Sequence, residues 1–267
     1  MEHETLIVET IGNVARITLN RPEAYNAYDL KMGKELQEVM ELCSREESIN
    51  AVILTGSGRA FCSGGDVRAM ANALEGGKGS TLAFFQDLTR YLHTTIVEMR
   101  RMDKPLLAAI NGVVAGAGFG LAMACDLRLA SKDARFTQAY TRLGLVPDGG
   151  SSFFLPRFLG SGKAAELMFL NSVLDAEEAL RVGLVSQVVE KEELAEKAME
   201  MAQALARGPK KAYALLKRLL YTTWQKELEG QLEEERRGIL ELCSSQDFQE
   251  GVRAFLEKRE PRFSGSP

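Results

Sequence analysis

Residues 104–120, Lys-Pro-Leu-Leu-Ala-Ala-Ile-Asn-Gly-Val-Val-Ala-Gly-Ala-Gly-Phe-Gly, constrain the fold more than any other stretch. A proline fixes the entry, and Leu106–Ile110 then runs apolar without a break, the composition of a strand covered on both faces or of a buried helix segment. Gly116, Gly118 and Gly120 alternate with Ala117 and Phe119 and lead into Leu-Ala-Met-Ala, a strong helix-forming run. The expected structure is strand, tight turn, helix start. Side chains this small let a ligand approach the backbone, and the first N–H groups of a helix lack internal partners and carry partial positive charge. Two uses fit: close packing of helix on strand, or stabilisation of an anion or of a carbonyl oxygen becoming one. A dinucleotide fingerprint fits poorly, because Gly116-Ala-Gly118-Phe-Gly120 is one residue short of Gly-x-Gly-x-x-Gly.

A chain of 267 residues, 45% of them hydrophobic, can bury one large core, or one core plus an appendage. A net charge of −4 and a pI near 5.5 leave no basic footprint for nucleic acid and no polybasic cluster for an anionic membrane. A small molecule or a protein is the expected partner. No apolar run is long enough for a membrane span, and the start Met-Glu-His-Glu-Thr lacks a basic region followed by an apolar one, so the expected address is cytoplasmic. Cys43, Cys62, Cys125 and Cys243 are scattered and are read as reduced thiols. With only His3 and His93 as imidazoles, neither in a ligand motif, no metal site is expected.

Along the chain, residues 6–10 and 14–19 read as a hairpin turning at Gly12-Asn13. Met32, Leu36, Val39, Met40 and Cys43 share one face of a helix over residues 30–45. A strand over 51–55 ends in a second glycine-rich loop, Gly56 to Val67, which lacks the lysine and hydroxyl ending of a P-loop. That loop is either a mere connection or a second exposed amide donor, and two such donors facing each other would make an oxyanion hole. Residues 74–80, rich in glycine, read as a mobile lid or loose connection before a long helix over 81–102. His93, on that helix, reads as structural or solvated, with no partner acid in view. No internal repeat stands out, and from Lys191 the chain is helical and charged.

These residues resemble the enoyl-CoA hydratase/isomerase, or crotonase, superfamily. The likeness covers nearly the whole chain: Arg21-Pro22 through Asn26-Ala27, Ala60-Phe-Cys-Ser-Gly-Gly-Asp66, Lys104-Pro105 through Asn111-Gly112, Gly116 to Asp126, and Ala254-Phe-Leu-Glu-Lys-Arg259. It implies an α/β fold, a crotonase-like spiral of repeated ββα units over 1–193 with a helical region over 194–267 used in trimers or paired trimers (hexamers). It further implies an acyl-CoA thioester as substrate, with no cofactor beyond the coenzyme A that the substrate carries. By position, Gly65 and Ala117 resemble the two amide donors to the thioester oxygen. Ser63, Gly64, Gly65, Asp66 and Val67, with Gly118 beside Ala117, resemble segments that bind the substrate, and Phe255 and Lys258 resemble residues near its adenosine end.

The sequence departs from the hydratase pattern at two positions. The glutamates that hydratases resemble one another in using fall on Gly120 and Tyr140. Adding water needs its activation and delivery of a proton, so the loss of both carboxylates argues against efficient hydration. Gly120 is read as opening space for a bulky acyl group, or as relieving packing; Tyr140 as a hydrogen-bond donor, or as a buried aromatic. Asp148, in Pro147-Asp-Gly-Gly150, stands where several acyl-CoA isomerases and a dehalogenase branch have an active-site aspartate. From the residues alone a turn or helix N-cap role is favoured, and the resemblance reverses that preference. Asp66 and Asp126 rank below it as candidate bases, and Cys62 lacks an activating histidine. The expectation is an acyl-CoA isomerase, moving a double bond or rearranging a cyclic acyl-CoA such as epoxyphenylacetyl-CoA. Enoyl-CoA hydration in fatty-acid breakdown, hydrolysis or dehalogenation through Asp148, and acyl-CoA binding without turnover are the alternatives.

Overall fold

The computed structural model describes residues 3–264. β1 (Leu6–Ile11) and β2 (Val14–Leu19) pair antiparallel, and Gly12 takes the positive φ of 61° that their turn requires. α1 (Leu30–Arg45) is capped by Asp29, which accepts from the Met32 N–H, and it buries the apolar stripe that the spacing predicts.

From there one unit recurs. β3 (Ala51–Gly56) and β4 (Ala60–Cys62) lead to α2 (Val67–Glu75) and α3 (Gly77–Arg101); β5 (Leu106–Ile110) and β6 (Val113–Ala115) lead to α4 (Gly116–Ala124). β7 (Leu127–Ser131) and β8 (Arg135–Thr137) then lead to α5 (Ser151–Leu170). The first strand of each pair enters one sheet, and the second enters another. β9 (Leu174–Asp175) completes the smaller sheet, and α6 (Ala176–Arg181) carries the chain to β10 (Gln187–Val189) on the larger one. The sheet orders are β1-β2-β3-β5-β7-β10 and β4-β6-β8-β9, so the chain winds as a spiral of ββα turns. The repeat is one of backbone path and not of side chains, so the sequence does not display it.

β5 is buried along its whole length, as its unbroken apolar run requires. α1, α3 and α4 cover one side of the larger sheet, while α7 (Leu194–Ala206) lies on the other, packing Leu194, Ala198 and Ala202 against Ile53, Leu107 and Leu129. α8 (Lys210–Thr222), α9 (Leu228–Leu242) and α10 (Gln246–Glu257) follow. Asp126 ties the layers together: it accepts from Arg100 of α3 at 2.9 Å, from the Leu106 N–H at 2.9 Å, and pairs with buried Lys217 of α8 at 2.8 Å.

Residues 74–80 are not the loose connection expected of their glycines. They form the end of α2 and the first turn of α3, bent at Gly77 with φ +82°, and the Thr81 hydroxyl closes the bend by donating to the Ala73 carbonyl. Among the described residues no helix is long and apolar enough to cross a membrane.

Candidate active site

β4 and β6 run parallel, with Ala60 opposite Val113 and Cys62 opposite Val114, so the chain segments that follow them leave the sheet side by side. They meet backbone to backbone. A Cβ on Gly118 would lie 2.3 Å from the Cys62 carbonyl oxygen, and one on Gly64 would lie 3.2 Å from that of Ala115. Gly64 and Gly116 also hold φ values of +102° and +48°, which side chains disfavour. The glycines are therefore what allows two turns to share one small volume.

This contact sets two amides at one place. Ala117 is the second residue of α4, where an N–H has no intrahelical acceptor. Tyr28 bridges to the other segment through the Gly64 carbonyl and the Asp66 N–H, at 2.7 and 2.9 Å, which leaves the N–H of Gly65 on the opposite edge of its strand. Gly65 and Ala117 both line a cavity of about 490 Å³. Its walls are largely apolar: Met70 from α2, Phe85, Leu88 and Leu92 from α3, and Leu145 and Pro147 from the loop before α5. Paired amide donors at an apolar pocket of this size can hold a small acyl group while negative charge gathers on its oxygen.

Asp148 lines the same cavity. It precedes two left-handed glycines, Gly149 at φ +59° and Gly150 at φ +74°, and Gly150 rather than Asp148 stands at the start of α5. The N-cap role is thus excluded for its side chain. The turn is pressed into place: a Cβ on Gly120 would lie 2.3 Å from the Gly149 carbonyl oxygen, and Gly149 also packs on Leu92 and Ile96 of α3. Asp148 Oδ1 meets Nε2 of His93 on α3. His93 therefore has an acid partner, which the sequence did not bring into view, while its ring is solvated as expected.

Two phenols flank the carboxylate. The Tyr28 hydroxyl lies beside that of Thr95, and the Tyr140 hydroxyl lies beside the Asp148 N–H, but neither meets hydrogen-bond geometry. Burial, assisted by Cys62 and Asp148 for Tyr28 and by Asp148 for Tyr140, pushes both phenols far above the ordinary tyrosine pKa. They stay neutral and able to donate. Burial pushes the Cys62 thiol up to about 11, so it is no nucleophile at neutral pH.

A model of the enoyl-CoA hydratase/isomerase family matches residues 9–266. The chain belongs to this family. It is 36% identical to 1,2-epoxyphenylacetyl-CoA isomerase of Escherichia coli strain K12 over 98% of this chain and 99% of that one. It is equally 36% identical to a short-chain-enoyl-CoA hydratase of Clostridium acetobutylicum, over 97% of each. Among solved structures, enoyl-CoA hydratase from Bacillus anthracis superposes with a TM-score of 0.91 at 32% identity, covering 98% of this chain and all of that one. This is accordingly an enzyme of acyl-CoA hydratase/isomerase type with a crotonase fold.

Within this family member, Ser63, Gly64, Gly65, Val67, Ala117, Tyr140 and Asp148 line the one cavity. Asp66 does not: it caps α2 through the Arg68 and Ala69 N–H groups and pairs with Arg21 at 2.9 Å. Its burial would raise its carboxyl, but Arg21 and the helix amides outweigh this and hold it below the usual carboxylate range. Gly118 does not line the cavity but packs against Cys62, which a side chain there would displace. Gly120 does not open the cavity to a larger acyl group, because the Gly149 backbone takes the space. Phe255 and Lys258 lie apart from the acyl cavity within the chain, Phe255 on the exposed face of α10 and Lys258 at its C-terminus. His93 is the residue that sequence reasoning missed, and no local pattern marks it, because its partner lies 55 residues away.

Proposed function

We propose that this enzyme is an acyl-CoA isomerase that works through a thioester enolate, with Asp148 as its base. One observation carries the reading: the only carboxylate lining the acyl cavity among the described residues is Asp148, and it shares that cavity with Gly65 and Ala117. For a 3-enoyl thioester, the bond from C2 to hydrogen breaks and the proton passes to the carboxylate. The electron pair spreads through the conjugated chain to the thioester oxygen between the two N–H groups. The proton then returns at C4, leaving the double bond between C2 and C3. Each hole donor is worth about 100- to 1,000-fold in rate. No group beyond the substrate's own coenzyme A enters these steps. A cyclic acyl-CoA such as epoxyphenylacetyl-CoA, the substrate type in the name of the E. coli relative, would use the same hole. Hydration is disfavoured by Gly120, where a carboxylate has no room, and by Tyr140.

A second reading has one specific support. With His93 at its side, Asp148 could instead attack the thioester carbonyl and expel the coenzyme A thiolate, and the imidazole could activate water to hydrolyse the resulting acyl-aspartyl anhydride. Incorporation of ¹⁸O from water into Asp148 would mark that path. We also propose that the enzyme is cytoplasmic and forms trimers or paired trimers, covering such exposed apolar residues of α8–α10 as Leu220, Leu232, Ile239 and Phe255.

The test is to incubate the protein with 3-enoyl-, 2-enoyl- and epoxyphenylacetyl-CoA in deuterium oxide and follow products by mass. Isomerisation of a 3-enoyl-CoA or the epoxide is expected, and Asp148→Asn should lower it by about 100- to 10,000-fold without altering the melting temperature. Turnover unchanged in Asp148→Asn would remove the base from the mechanism.

A further inference from the structure

We propose that His93 is a positioning residue that exchanges the proton held by Asp148 with solvent during turnover. The inference rests on the isomerase reading, since it assigns a path to the proton which that reading places on Asp148. The imidazole sits between two spaces. On one flank its Nε2 meets Asp148 Oδ1, at the wall of the acyl cavity. On the other, His93 lines a separate groove of about 320 Å³ with Ile96, Arg100, Phe153, Phe154 and Tyr221.

Exposure makes the asymmetry useful. The His93 side chain is 56% exposed, whereas that of Asp148 is 26% exposed. A thioester filling the acyl cavity covers the carboxylate from that side. The imidazole remains open from behind. Gly149 lies against Leu92 and Ile96, so the turn that carries Asp148 rests on the helix that carries His93, and the imidazole joins the groove to the carboxylate.

The proton balance is complete with water as the only co-reactant. The C–H bond breaks and Asp148 gains the proton. The neutral imidazole with its hydrogen on Nδ1 accepts that proton at Nε2, and the resulting imidazolium loses the Nε2 proton to water and takes another from water in its place. Nε2 then passes this solvent-derived proton to Asp148, which delivers it to carbon. Without the imidazole, the original hydrogen stays on the carboxylate and returns to the same substrate molecule.

The full-length chain is given a 3-enoyl-CoA in deuterium oxide, and deuterium in the 2-enoyl product is read by mass spectrometry at low conversion. Parent enzyme should give labelled product. In His93→Gln, whose amide still donates to Asp148 but cannot relay, label per turnover should fall at least about fivefold, a ratio independent of any drop in turnover itself. Free imidazole added to His93→Ala should restore the label, which a merely structural role would not predict. Unlabelled product from the parent, or equal label in parent and His93→Gln, overturns the inference and leaves the isomerase reading standing. Absence of conversion by the parent, or full conversion by Asp148→Asn, overturns that reading first and this inference with it.

Discussion

On one side of the acyl cavity, Gly64, Gly65, Gly116 and Ala117 present main chain held by main chain; on the other, Tyr140, Asp148 and His93 present side chains carried by three separate elements. The first side leaves no room for adjustment. At Gly64 and Gly118 the nearest neighbours are backbone atoms that cannot rotate away, so even one methyl group is too many at Gly118. The second side holds neutral phenols without hydrogen-bond partners and a carboxylate whose neighbour faces water. Charge stabilisation needs a fixed geometry made before the reaction, whereas proton transfer needs groups that change state during it.

That contrast can be broken most severely at Gly118. Gly118→Ala places a Cβ 2.3 Å from the Cys62 carbonyl oxygen, which forces β4 and α4 apart and separates the two hole amides. A fall in kcat of about 100- to 1,000-fold is expected from the loss of one aligned donor, together with a lower melting temperature. Normal turnover in this variant would show that the hole tolerates movement after all.

A smaller effect should come from the other side. Tyr140→Phe removes a buried hydroxyl that has no partner in the free protein, so stability should hold or rise by up to about 1 kcal/mol. If the hydroxyl meets the bound acyl group, kcat/KM should nevertheless fall about tenfold, one ordinary hydrogen bond. Opposite movement of melting temperature and turnover is the signature to measure; a joint fall would assign Tyr140 to packing.

The smallest change is expected at Asp66, which supports the hole from outside the cavity. Asp66→Ala should cost about 1–2 kcal/mol at pH 7 through the lost α2 cap, with little change in kcat. The folded-state pKa of Asp66 lies below its unfolded value, so its contribution is present above the ordinary carboxylate pKa and is lost as pH falls through the lower folded value. Urea midpoints of parent and variant should therefore converge in acid. A gap that persisted or widened there would contradict the ion pair with Arg21.

The two sides were also unequally legible in the sequence. Gly116, Gly118 and Gly120 announce tight backbone packing by residue type alone, and the apolar run Leu106–Ile110 announces a covered strand. The second sheet is another matter. β4, β6 and β8 are three residues each, too short for any alternation of side chains to register, so the ββα repeat cannot be read from periodicity. His93 and Asp148 carry no mutual signal because folding alone brings them together across 55 residues. The glycines of 74–80 misled for a different reason: Ser80 packs on Gly76 and Thr81 bonds back to Ala73, so local contacts hold a helical path that composition disfavours.

The contact between Gly120 and Gly149 couples the two positions. Position 120 cannot gain a carboxylate while the Gly149 carbonyl occupies the space beside it, and the turn that fills that space is the one that delivers Asp148. In this chain the aspartate and a glutamate at 120 are mutually exclusive tenants. A glutamate placed at position 120 therefore requires the loop that carries Asp148 to be rebuilt with it.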